Sequence, residues 1–176
     1  MPGLFAIVGP SGAGKDTLIE GARLVRPDLV VVRRVITRPT AAGGEDFEGV
    51  TEAEFDARLA AGAFALDWAA HRLRYGIPAA QLDPGRDVLF NGSRAALPAA
   101  QARFPGLVVV LVTAPVAALA ERLAGRGRET ATDIAARLER AGFDLPPGLR
   151  VRQVVNDGTA AMGVARLLAA LQPDRG

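Results

Sequence analysis

Cysteine is absent from the 176-residue chain. That excludes a disulfide scaffold and any zinc or iron–sulfur centre held by thiolates. Histidine occurs once, as His71, so a metal site built on imidazoles lacks a second ligand. No apolar run approaches the roughly 20 residues that cross a bilayer, and the opening MPGLFAIVGPSG lacks the basic start of a secretory signal. A soluble, cytoplasmic chain is expected, with no membrane partner. Aromatic residues are scarce, at seven Phe, one Trp and one Tyr, and the net charge is only +2 with arginines spread along the chain. Nucleic acid is therefore not an expected partner. Lysine is nearly absent too: of 21 basic residues 20 are arginine, and the single lysine is Lys15.

The composition that remains suits one folded domain, with 49% hydrophobic and 23% charged residues. Apolar runs of strand length alternate with segments of helical period. Strands are predicted at Leu4–Val8, Leu29–Ile36, Ala63–Tyr75, Asp87–Phe90, Leu107–Val112 and Val151–Val155. Helices are predicted from about Lys15 to Leu24, and over Thr51–Ala61, Pro115–Leu123, Ala131–Ala141 and Thr159–Leu171. Thr51 and Glu54 have the spacing of a capping box. This alternation predicts an α/β fold with a mainly parallel sheet flanked by helices. The stretch from about residue 37 to residue 78 interrupts the alternation and reads as an inserted lobe within residues 1–176.

The segment Gly9-Pro10-Ser11-Gly12-Ala13-Gly14-Lys15 follows the first strand and opens the first helix. This is a phosphate loop in its required strand–loop–helix context. Its glycines let backbone N–H groups converge on an anion, the helix start adds partial positive charge, and Lys15 supplies a mobile point charge. The usual Ser or Thr after the lysine is Asp16, followed by Thr17. Asp16 either helps to hold a hydrated Mg2+ with Thr17, directly or through water, or only favours the helix start; the sequence leaves both open.

With the loop in place, the chain resembles the guanylate-kinase-like branch of P-loop kinases over nearly its whole length. The motifs that carry this are Thr37-Arg38-Pro39 with Gly44-Glu45-Asp46-Phe47, Val50 to Phe55, Arg126-Gly127-Arg128-Glu129 with Arg137, and Val154-Val155-Asn156-Asp157. Within the branch it is most similar to ribose 1,5-bisphosphate phosphokinases. That likeness rests on Gly14-Lys15-Asp16, Phe64 to His71, Leu73 to Pro78 and Asn91-Gly92-Ser93-Arg94. A guanylate kinase, or another nucleoside monophosphate kinase, is the alternative. Guanylate kinases carry a second acceptor-lobe arginine where this chain has Ala41, and an aspartate where it has Asn91; Asp67 keeps one acidic position. Losing such a partner weakens recognition of a base, so the resemblance favours a sugar bisphosphate. Arg72 stands where the bisphosphate kinases more often have glycine.

The resemblance implies a P-loop kinase fold with a small acceptor-binding lobe and an arginine-rich lid at about residues 125–140. It implies ATP as phosphoryl donor, Mg2+, and a small phosphorylated sugar as acceptor, and it leaves the oligomeric state open. ATP is assigned to Gly9, Pro10, Ser11, Gly12, Ala13, Gly14, Lys15, Asp16 and Thr17, with adenine near Asn156. Lys15, Arg126 and Arg137 are the candidate catalytic groups. Arg38 and Tyr75 are assigned to an acceptor phosphate. Arg34 and Arg74, with Arg33, are candidates for a second one, and Asn91 for a sugar hydroxyl. A core role is the alternative for Tyr75, and a solvated one for Arg126 and Arg128, while Asn91 reads equally as a turn former. His71 reads as a hydrogen-bonded lobe residue rather than a proton carrier.

Overall fold

A computed structural model describes residues 2–42, 44–127, 129–141 and 143–174, apart from the side chains of Arg140 and Ala141. In chain order its elements are β1 Leu4–Val8, α1 Lys15–Val25, β2 Val30–Val31, β3 Arg34–Ile36, β4 Phe47–Gly49, α2 Glu52–Ala60, β5 Phe64–Ala70 and β6 Leu73–Pro78. There follow β7 Val88–Asn91, α3 Leu97–Arg103, β8 Val108–Thr113, α4 Val116–Ala124, α5 Ala131–Ala141, β9 Val151–Val155 and α6 Ala160–Ala170.

The larger sheet is wholly parallel, in the order β2-β7-β1-β8-β9. Its inner strands are apolar up to their last residues, Asn91 in β7 and Thr113 in β8, because both faces are covered. Along β1, Phe5 and Ile7 face one layer, with Leu18, Ile19 and Ala22 of α1, Leu119 of α4 and Leu167 of α6. Ala6 and Val8, one residue out of phase, face the other layer with Val88, Phe90, Leu97, Trp68 and Tyr75. The period-2 alternation of a strand thus divides one apolar run between two cores. The C-terminal ends of these parallel strands share one edge, where open α/β sheets bind ligands.

A second, four-stranded sheet in the order β4-β3-β6-β5 lies between residues 34 and 78. Here the chain departs from two expectations. The run Leu29–Ile36 is not one strand: Val30 and Val31 pair with β7, whereas Arg34 to Ile36 pair with β4 and β6 in the other sheet. The run Ala63–Tyr75 is likewise a hairpin, β5 to β6, turning at His71 and Arg72 with φ of 52° and 62°. Two residues at positive φ are what a tight hairpin turn needs, and glycine or asparagine normally announces it. Neither is present, so the turn was hidden in the sequence. The short helix α3, with Pro98 in its first turn, was also not anticipated. The capping box was: the Thr51 hydroxyl accepts from Glu54 N–H, and the Glu54 carboxylate accepts from Thr51 N–H.

Candidate active site

The loop between β1 and α1 is shaped by what cannot fit there. A Cβ on Gly9 would lie 2.2 Å from the carbonyl oxygen of Val112, so β8 leaves room only for glycine. Gly12 and Gly14 have φ of 84° and 90°, a region that glycine enters without steric cost. The loop is also braced from behind. The buried amide of Asn156, at the end of β9, donates to the Ala13 carbonyl at 2.7 Å. From α4, Arg122 donates to the Gly12 carbonyl at 2.8 Å and to the Asn156 carbonyl at 3.3 Å. With its carbonyls held, the loop presents the first N–H groups of α1 to the cavity, and these have no acceptor one turn back. Arg122 was missed from the sequence, although it stands on the predicted helix Pro115–Leu123, four residues before Arg126.

Lys15 folds over the loop and donates to the carbonyls of Gly9 at 2.7 Å and Pro10 at 3.4 Å. Burial lowers its pKa, and Asp16 partly opposes that shift. For Asp16 itself burial raises the pKa, and nearby Glu45 adds to the rise.

A cavity of about 960 Å³ opens over this loop. Among the described residues five cationic side chains line it (Lys15, Arg34, Arg94, Arg126 and Arg137), against one carboxylate, Asp16. Gly9 to Gly12, Gly14, Thr17, His71, Tyr75 and Asn91, all candidates from the sequence, also line it. Arg126 follows α4, and Arg137 on α5 donates to Glu129 at 2.9 Å. Arg128 lies outside the described residues. The buried Arg34 is ion-paired with Glu45 and lies 4.8 Å above the ring of Tyr75, which stacks on Trp68 at 5.4 Å. Tyr75 thus serves the core and the cavity wall at once.

Other candidates stand elsewhere. Arg38 lies over the ring of Phe47 at 4.3 Å and is not part of the cavity lining. Arg33 pairs with Asp46 at 3.0 Å, and Arg74 reaches back to Asp56 and Glu52 of α2. Asn156 braces the loop from behind and is outside the lining. Asp67 is exposed, out of phase with buried Leu66 and Trp68, and also stands outside it. His71 lines the cavity from its positive-φ turn, and no hydrogen bond holds its imidazole among the described residues. Among the described residues no group of three or more His, Asp or Glu could form a metal cage, and no helix is long and apolar enough to cross a membrane.

No protein-family model matches the chain. The chain is 49% identical over 176 residues to the ribose 1,5-bisphosphate phosphokinase PhnN of Ruegeria sp. (strain TM1040), covering 98% of this chain and 93% of that protein. It is 51% identical over 172 residues to the bifunctional ribose 1,5-bisphosphokinase-thymidine phosphorylase of Cupriavidus necator, covering 96% of this chain but spanning only 29% of that longer protein. Among solved structures, a guanylate kinase from Anaplasma phagocytophilum aligns with a TM-score of 0.66, covering 97% of this chain and 84% of that one, at 18% identity. The last likeness speaks for the fold alone, an α/β P-loop kinase fold.

Proposed function

Because the chain belongs to the ribose 1,5-bisphosphate phosphokinase family, we propose that it transfers the γ-phosphoryl group of ATP to the 1-phosphate of ribose 1,5-bisphosphate. A P–O–P bond forms at the acceptor phosphate, the β–γ bond of ATP breaks, and ADP leaves with 5-phospho-α-D-ribose 1-diphosphate (PRPP). The observation that carries this reading is the cavity lining: among the described residues five cations and one carboxylate, Asp16, line the cavity over the phosphate loop, with Arg34 and Arg137 paired to Glu45 and Glu129. A guanine edge needs acceptors to read it, and the retained Asp67 is exposed and outside that lining. A sugar with a phosphate at each end suits the cations instead.

An acceptor phosphate is already ionised near neutral pH, so the reaction needs in-line placement and charge neutralisation more than a base. In this reading the loop N–H groups cradle the ATP phosphates, and Lys15 leaves the Gly9 and Pro10 carbonyls to follow the β and γ oxygens. Arg126 and Arg137, from the segment at about 125–140 that acts as a lid, neutralise the transferring group. Arg34, held by Glu45 through Nε and one Nη, offers its remaining N–H donors, with the Tyr75 hydroxyl, to the reacting acceptor phosphate, and Asn91 meets a sugar hydroxyl. Arg38, Arg74 and Arg33 shape the acceptor lobe, residues 37–78, through Phe47, α2 and Asp46. Asn156 supports the loop rather than touching adenine.

The donor set at the loop fits Mg2+. Asp16 lines the cavity with a carboxylate whose pKa is raised by partial desolvation and by nearby Glu45, a group that a cation would stabilise, and Thr17 adds a hydroxyl beside it. Asp16 and Thr17 would hold the hydrated ion, which when bound screens the triphosphate charge. A coupled assay of ADP release tests the proposal: turnover with ribose 1,5-bisphosphate far above that with GMP supports it. The reverse ranking sinks it.

A further inference from the structure

The motif Asn91-Gly92-Ser93-Arg94 contains a cation that the functions assigned so far do not use. Arg94 follows β7 in a short turn, Arg94–Ala96, that packs against β5. Its guanidinium lies 4.0 Å above the ring of Phe143, and the residue lines the cavity. Within that lining, Arg34 is neutralised by Glu45 and Arg137 by Glu129. The Arg94 guanidinium has no carboxylate partner and no hydrogen bond among the described residues. Stacking engages the face of a guanidinium and leaves the N–H donors at its edge unused. A half-open cavity wall that fixes an arginine by its face and leaves its edge unpaired is suited to an anion that arrives with the ligand.

Resting on the bisphosphate reading above, we propose that Arg94 determines acceptor specificity by binding the non-reacting 5-phosphate of the sugar. Position separates it from the other unneutralised cations. Lys15 belongs to the loop, and Arg126 stands beyond α4, where its charge is felt by Asp16. Arg94 instead stands with the second sheet: Ala96 of its turn is packed in the same core as Trp68 and Tyr75. The reacting phosphate is claimed by the loop side and Arg34, and the far phosphate by Arg94 on its Phe143 platform. An acceptor with a single phosphate, such as a nucleoside monophosphate, leaves Arg94 unpaired and loses that contact.

The test uses Arg94→Ala and Arg94→Lys in the full chain, by steady-state kinetics and by titration calorimetry with two half-acceptors. Ribose 5-phosphate carries only the distal phosphate, and ribose 1-phosphate only the reacting one. For Arg94→Ala the KM for ribose 1,5-bisphosphate and the Kd for ribose 5-phosphate are expected to rise by about tenfold to a hundredfold, the worth of a charge-assisted bidentate contact. The kcat, the KM for ATP and the Kd for ribose 1-phosphate stay within about twofold. Arg94→Lys recovers part of the loss, because it keeps the charge but not the fork. Phe143→Leu keeps apolar volume but removes the platform, and raises the acceptor KM by about twofold to fivefold. Equal losses for the two half-acceptors, or none for either, would overturn the role of Arg94. A wild-type protein that makes no product from ribose 1,5-bisphosphate would instead overturn the underlying functional reading, with the calorimetry still judging Arg94.

Discussion

Replacing Asn156 by alanine separates a brace from a base-binding group. In the structure the Asn156 amide donates to the Ala13 carbonyl at 2.7 Å, and both residues are buried, at 7% and 0% exposure. Its backbone is fixed separately, through Asn156 N–H to the Thr113 carbonyl at 2.6 Å, so alanine leaves the end of β9 in place. What is lost is the side-chain bond, and the Ala13 carbonyl is left buried without its donor. Such a loss costs about 1–3 kcal/mol, and the small void left beside Gly14 and Gly163 adds to it. A total of about 2–3 kcal/mol corresponds to a fall in Tm of roughly 5–10 °C for a domain of this size. Thermal unfolding by circular dichroism reads the shift, and kinetics should show kcat falling along with affinity, because a loosened loop misplaces all the triphosphate contacts. An unchanged Tm combined with a raised KM for ATP alone would refute the brace, and would return Asn156 to the adenine side.

Arg72→Gly should stabilise the protein. Arginine at a φ of 62° pays a steric cost of about 1 kcal/mol that glycine avoids, partly offset by the extra freedom of glycine in the unfolded chain. A rise in Tm of about 1–3 °C is expected, and a fall would contradict the turn geometry. Asp16→Asn should raise the Tm of the nucleotide-free protein at pH 7. The folded-state pKa of Asp16 is raised, so below its ordinary 3.8 both states are protonated and the group contributes nothing. Above 3.8 the unfolded chain ionises first, which penalises folding, and the penalty is complete once pH exceeds the folded pKa. The gain should therefore shrink as pH is lowered toward 4 in thermal melts, and a gain that does not depend on pH would contradict the assignment. The same variant should need more Mg2+ for half-maximal rate. Lys15→Ala should lower kcat by about a thousandfold or more with the fold intact by circular dichroism; full activity would remove the loop from the chemistry.

Much of the scaffold was legible because its signals are local. Leu4–Val8 is too short for a helix and is followed at once by the glycines of the loop, and the Thr51–Glu54 pair sets the start of α2 within a residue. Strand breaks without a punctuating residue were not legible. Val32 and Arg33 carry the chain from one sheet to the other inside a β-branched run, and the His71–Arg72 turn lacks glycine. For the site, the loop was readable because its anion-binding geometry depends on backbone and sequence neighbours. The arginines were legible only in part: Arg34, Arg126 and Arg137 line the cavity, whereas the directions of others are set by long-range partners. Asp46 holds Arg33, α2 holds Arg74, and Phe143 holds Arg94 at the cavity wall.

The most direct test of the central claim is a 31P NMR time course with Mg-ATP, offering ribose 1,5-bisphosphate and GMP in separate reactions. The account predicts a new pair of coupled diphosphate doublets from the sugar bisphosphate, growing in step with ADP, and no GDP from GMP. GDP formation without reaction of the sugar bisphosphate would contradict it, and would make the cation-lined cavity a nucleotide acceptor site.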